Sequence, residues 1–218
     1  MPRVSKVQTD LNRTAITAGS SRLFRERGFR GVSVADLMAE AGLTHGGFYG
    51  HFESKDALAA AAGEWAFTES TARWRKRVAA ESAPAAQRRA LVENYLRASS
   101  VPDAAHGCPT AALCVDVGRE PVDAPVRAAF AAGLEEMLDV LAAAQATGDA
   151  AADRRAALAD YATMVGALLM ARATSALPLA DEILAAARER LLAAPAAAAP
   201  APTPPPSSRA SARPPHRS

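Results

Sequence analysis

Cysteine is scarce in this chain, with two among 218 residues, so no disulfide framework can organise the fold and a reducing compartment suits it. Aromatic residues make up only 5% although 50% of the chain is apolar, so much of the apolar content is alanine. An alanine-rich, aromatic-poor composition favours helices over strands. Net charge is only +2, which excludes a uniformly basic nucleic-acid coat. The N-terminus has no apolar signal core, and no uninterrupted apolar run before the tail has the length of about 18 residues that a bilayer requires. These absences predict a soluble, cytoplasmic, all-α protein with no membrane association.

The distribution of charge is more informative than its sum. Up to Ser33 there are seven cations against two acids, so the basic excess gathers at one end. Apolar spacing predicts helices over 8–27, 34–41, 45–52, 55–79, 87–99, 110–118, 126–141, 150–175 and 181–193. Residues 1–7 read as a basic arm or an ordinary frayed terminus. Residues 195–218 are almost entirely Ala, Pro, Ser and Arg, and their composition predicts a disordered tail. Four segments result: an arm (1–7), a three-helix unit (8–54), a larger helical body (55–194) and the tail (195–218).

The densest signal lies in GVSVADLMAEAGLTHGGFYGHFESK, residues 31–55. Ser33 and Asp36 have capping-box spacing, and Val34, Leu37, Met38 and Ala41 line one helical face. Gly42 suits a left-handed helix stop, and Thr44 a new N-cap. Gly46 and Gly47 then open the next helix, each weakening it by about 1 kcal/mol relative to alanine. Two such glycines imply close approach to the backbone, and the free N–H groups of a helix start favour phosphate. Phe48 and Phe52 face inward, leaving Thr44, His45, Tyr49 and His51 outward. Ser54 caps the long helix that begins at Lys55.

The segment RLFRERGFRGVSVADLMAEAGLTHGGFYGHFESKDAL, residues 22–58, resembles the DNA-binding domain of the TetR family of bacterial transcriptional regulators. The resemblance implies an N-terminal helix-turn-helix domain followed by a helical ligand-binding and dimerisation domain. It implies DNA contacts at Thr44, His45, Gly46, Gly47, Tyr49 and His51, with phosphate contacts at Ser33 and Lys55. Family members often carry Lys or Arg at the position of His45 and a bulkier residue at that of Gly50. The function implied is a repressor released from a palindromic operator by a small molecule. The partners implied are double-stranded DNA and a second copy, paired through the last two helices (150–175 and 181–193). The apolar breadth of those helices requires cover from a second subunit, from the chain's own core, or from both.

In the second half, HGCP (106–109) places Cys108 in a Gly/Pro loop two residues from His106. A neighbouring imidazolium would favour the reactive thiolate. The alternative is a small buried cysteine filling space. A looser resemblance joins this loop to TetR-like members that respond to electrophiles or oxidants, which makes modification of Cys108 the alternative switch. Cys114 reads as core. Candidate walls for a small apolar or electrophilic effector are Trp65, Tyr95 and Phe130, with His106 and Cys108, in a body where the Trp65–Trp74 helix, Phe67 and Met137 can also enclose a pocket. The cysteine and histidine spacing does not match a structural zinc site, and no metal or cofactor is expected. A thiol-transferase reading would need an oxyanion hole and an orienting group that the sequence does not supply, so no catalytic residues are expected. A helical adaptor would bind protein instead, without the salt-dependent DNA affinity of a regulator.

Overall fold

The computed structural model describes residues 6–193, so the expected tail and most of the arm lie outside the described residues. Helix α1 spans Lys6–Arg27, α2 Val34–Glu40, α3 Lys55–Ala79, α4 Pro84–Tyr95, α5 Pro109–Arg119, α6 Pro125–Ala143, α7 Ala150–Ala173 and α8 Leu179–Leu192. Two 3-10 turns, His45–Gly50 and Ala98–Ser100, complete the order. No strand occurs among the described residues.

Local chemistry explains most of these boundaries. Gly28 and Gly42 both have φ of +71°, the left-handed geometry that stops α1 and α2 at little cost for glycine. Beyond Gly28 the chain folds back, and Phe29 meets Phe24 edge-on at 5.3 Å. The capping box forms in full: Ser33 Oγ accepts from Asp36 N, and the Asp36 carboxylate accepts from Ser33 N at 2.8 Å. Ser54 Oγ accepts from Ala57 N at the start of α3, and Asp149 accepts from Ala151 N and Ala152 N at the start of α7.

Some boundaries depart from the sequence expectation. Helix α1 begins at Lys6, so the end of the supposed arm is helical. Pro84 does not break a helix. It occupies the first turn of α4, where its missing N–H has no partner to lose, and the helix ends at Tyr95 instead of residue 99. Pro109 and Pro125 open α5 and α6 in the same way.

Two hydrophobic clusters hold the chain together. The first joins Ile16, Phe24, Leu37, Met38, Phe48 and Phe52 to Leu58 of α3, and it runs on to Leu113, Val117 and Val126 of α5 and α6. The three-helix unit is therefore packed onto the body through a shared core, which continues past residue 54. The second cluster gathers Phe67, Trp74, Tyr95, Met137, Tyr161 and Leu168 within the body. Helix α3 passes through both clusters and packs chiefly on α6 and α1. At its crossing with α6, a Cβ added to Gly133 would lie 2.1 Å from Phe67 Cγ, so only glycine admits this approach.

By length and mean hydropathy (1.2), α7 is the one described helix that passes as a membrane span. One side of it packs against α6 and α8. The other side leaves Leu158 and Met170 exposed.

Candidate nucleic-acid interface and effector cavity

The recognition element is a 3-10 turn, His45–Gly50, where an α-helix was expected. Three of its positions are glycine, each unfavourable to α-helix, and the tighter turn fits such short pieces. Thr44 occupies the N-cap position but makes no side-chain cap. So short an element carries little macrodipole, and what it offers to a neighbour is side chains and an approachable backbone.

Phe48 anchors the turn. It is fully buried, stacks on Phe52 at 6.2 Å and meets Tyr49 edge-on at 5.2 Å. Thr44, His45, Gly46, Gly47 and Tyr49 all face outward, and Tyr49 is 74% exposed. A Cβ at Gly46 would meet nothing within 4 Å, and one at Gly47 would make only ordinary contact with Met38 at 3.6 Å. Internal packing therefore does not demand either glycine.

The remaining expected contacts are more internal than their positions suggested. His51 is half-buried, its Nδ1 is enclosed without a partner, and its carbonyl accepts from Arg13. Arg13 also lies over the Phe52 ring at 4.2 Å, a cation–π contact. Ser33 Oγ is exposed but already bonded to the Asp36 carboxylate at 2.6 Å. Those bonds, the side-chain one first, hold the Asp36 carboxyl below its ordinary range. The Lys55 ammonium donates to the carbonyls of Phe29 and Val32, clamping the α1–α2 connection and leaving one N–H free. Arg22 pairs with Glu40 at 2.9 Å, and Arg25 is buried. Part of the N-terminal basic excess is thus structural.

In the body, a cavity of about 130 Å³ opens between α3, α4, α7 and the 101–108 loop. Tyr95, His106 and Cys108 line it as expected. Trp65 and Phe130 do not: Trp65 lies more than one turn before Ser70, the first wall residue of α3, and Phe130 packs on Phe67 at 5.3 Å. Trp74 and Met137 line the cavity as the sequence allowed, and Leu168 and Asn94 join them with Arg73, Arg77, Arg97 and Arg172. The missed signal was arginine spacing. Arg73 and Arg77 lie one turn apart, where they read as a helix-end cluster matched to the dipole.

Cys108 is 8% exposed and sits at the N-cap of α5. Its partner is not His106. That imidazole is turned outward onto Asp103, with Nδ1 to Oδ1 at 3.0 Å. The Cys108 sulfur instead faces the Tyr161 hydroxyl at 3.1 Å, and Tyr161 donates to Thr110 Oγ1 at 3.0 Å. Burial, with Cys108 adding to it, raises both the Tyr95 and Tyr161 phenols well above their ordinary range. The Tyr95 hydroxyl has no partner within hydrogen-bond geometry although the residue is only 5% exposed. Trp74, Tyr95 and Tyr161 form an edge-to-face cluster with centroids 5.6 to 6.2 Å apart.

One contact ties this cavity to the N-terminal three-helix unit. Buried Arg25 of α1 donates to the Gly107 carbonyl at 3.2 Å and pairs with Glu69 at 3.5 Å. Burial pulls its pKa below the ordinary value, and Glu69 opposes that shift. No group of three or more His, Cys, Asp or Glu side chains suited to a metal occurs among the described residues.

An exposed turn on a packed three-helix unit, joined to a helical body with a cavity, is the architecture of helix-turn-helix transcriptional regulators. Comparison with known proteins places it more closely. Residues 16–62 match the family model described as bacterial regulatory proteins, tetR family. A TetR transcriptional regulator from Chloroflexus aurantiacus is 27% identical, with TM-score 0.68, covering 85% of this chain and 94% of that one. A TetR-family regulator from Cytophaga hutchinsonii is 22% identical, with TM-score 0.71, covering 88% and 96% respectively. The reduced form of NemR from E. coli is 23% identical, with TM-score 0.67, covering 81% and 94%. No curated protein matches the chain. Residues 16–62 thus match the TetR-family model, and the described chain as a whole has the fold of TetR-family regulators.

Proposed function

We propose that the protein is a cytoplasmic, homodimeric repressor that binds a two-fold operator and is released by a small effector held in the body. The observation that carries the reading is the recognition turn. It exposes Gly46 and Gly47, which nothing in the chain's own packing requires, beside an exposed Tyr49. Glycines without internal purpose fit close approach by an outside backbone. Thr44, His45, Tyr49 and His51 are assigned to the operator, with Ser33 and the free N–H of Lys55 toward phosphate.

Pairing is assigned to α7 and α8. Their outer face forms a shallow apolar groove that includes Gly166, Met170, Ile183 and Ala187. Met170 is 55% exposed, and a second copy would cover it. Two recognition turns related by a two-fold axis would then reach successive major grooves, about 34 Å apart. Effector binding would shift the 101–108 loop, and Arg25 would carry that shift to α1. The effector must bind the two states with different affinity to move the population.

A second reading has Cys108 as the switch, supported by its place on the cavity wall at the start of α5. The thiol would add across an activated C=C, forming a C–S bond, with its proton ending on the adjacent carbon. N-ethylmaleimide would then release DNA from the native protein but not from Cys108→Ser.

The main reading is tested by selecting DNA from a random pool with the purified protein. A palindromic site, bound by a dimer with an affinity that falls steeply with salt, is expected. Failure to enrich any duplex would overturn the reading.

A further inference from the structure

The effector cavity is a lopsided site. Its floor is apolar and aromatic, built from Trp74, Tyr95, Met137 and Leu168. Its rim carries Arg73 and Arg77 of α3, Arg172 of α7 and Arg97 of the bend after α4, with Asp103 the one acid against them among the lining residues. Two of these arginines, Arg73 and Arg172, are spoken for. Arg73 donates to Ser70 Oγ and the His106 carbonyl, and Arg172 to the carbonyls of Ser100, Val101 and Asp103. Arg77 and Arg97 are exposed and have no hydrogen-bond or ion-pair partner among the described residues. The Tyr95 hydroxyl, enclosed on the floor, makes no hydrogen bond of normal geometry and has only the Cys108 sulfur beside it.

We propose that this cavity binds a small aromatic carboxylate, with the ring on the Trp74–Tyr95 floor and the carboxylate between Arg77 and Arg97. This rests on the reading of the chain as an effector-released regulator. Four independent features converge on that chemistry. The volume of about 130 Å³ is on the scale that admits one benzene-sized ring. Edge-to-face aromatic walls and the Met137 thioether favour a flat π system. A guanidinium fork matches a carboxylate in a bidentate contact. The buried Tyr95 O–H has only the weakly accepting Cys108 sulfur beside it, so it can turn to a polar atom on the ring or to a carboxylate oxygen.

The site also has a built-in route to the operator. The Gly107 backbone lines the cavity, and its carbonyl is the one held by Arg25 of α1. Gly107 is close-packed: a Cβ there would fall 2.4 Å from the Asp103 carbonyl and 2.8 Å from Arg172. An anion that draws the rim arginines inward would therefore shift a segment with little slack.

The test uses the full-length protein and titration calorimetry with benzoate, benzamide and benzyl alcohol. Benzoate should bind saturably, with a dissociation constant of about 1 mM or tighter, and the two neutral analogues at least about tenfold more weakly. Arg77→Gln and Arg97→Gln should each weaken benzoate about tenfold. Both side chains are exposed and unpartnered, so unchanged thermal unfolding is expected to accompany that loss. Tyr95→Phe should weaken salicylate more than it weakens benzoate. Absence of saturable benzoate binding, equal binding of benzamide, or unchanged affinity in both arginine variants would overturn the proposal. Benzoate bound without any release of the selected operator would overturn its role as effector class. If the protein selects no operator while calorimetry still reports benzoate, the regulator reading fails and the binding site stands. If an operator is selected and benzoate does not bind, the ligand assignment fails alone.

Discussion

Replacing Gly133 with alanine is the sharpest probe of how the body is assembled. In place, the new methyl would lie 2.1, 2.4 and 2.5 Å from Phe67 Cγ, Cδ2 and Cβ. Carbon atoms settle about 3.5 to 4 Å apart, so α3 and α6 must separate by about 1 Å or Phe67 must leave its rotamer. Phe67 is only 2% exposed and packs edge-on against Phe130, so it has nowhere open to swing. Overpacking of this kind destabilises by about 1 to 3 kcal/mol. Alanine's helix propensity returns up to about 1 kcal/mol. The net loss should be about 1 to 2 kcal/mol, which for a chain of this size lowers Tm by roughly 2 to 8 °C. Thermal unfolding at fixed protein concentration measures it, since a dimer's Tm depends on concentration. Pairing Gly133→Ala with Phe67→Leu should recover part of the loss, because the shortened side chain opens the crossing. A single variant as stable as the native protein would refute the account of the α3–α6 contact.

Three further outcomes follow from the interface. Gly47→Ala should leave thermal stability unchanged or slightly raised, because its Cβ meets only Met38 at 3.6 Å. Gel shifts on the selected operator should nonetheless show affinity falling about tenfold or more, and undiminished affinity would remove the close-approach argument. Tyr49→Ala should weaken the operator without altering the melt, whereas Lys55→Ala should do both, losing about 1 to 3 kcal/mol with its two carbonyl contacts. Asp36 supplies the pH dependence. Its folded pKa is depressed by the Ser33 hydroxyl and amide, so its stabilisation is complete above the unfolded carboxylate value near 4. That stabilisation is lost as pH falls through the lower folded value. Ser33→Ala should therefore flatten the acid side of the Tm–pH curve, and an unaltered slope would count against the capping box as its source.

What the sequence determined by itself is everything written in short-range chemistry. Gly28 and Gly42 stop helices because a positive φ costs glycine little. Ser33, Ser54 and Asp149 cap because their partners lie two or three residues on, and the resemblance over 22–58 rests on that same local order. Even the boundary miss at Pro84 was local, since proline suits a helix's first turn as well as its end. Tertiary structure alone decided where long side chains went. Lys55 turned inward to carbonyls 23 and 26 residues earlier in the chain. Tyr161, from the far end of the body, displaced His106 as the partner of Cys108. Trp65 and Trp74 are on one helix, yet only Trp74 reaches the cavity, because side chains of α4 and α7 (Asn94, Tyr95, Leu168 and Arg172) come together at that level of α3. Periodicity tells which face of a helix is apolar. Which neighbour covers that face depends on how the helices cross, and that is settled only by packing the whole chain at once.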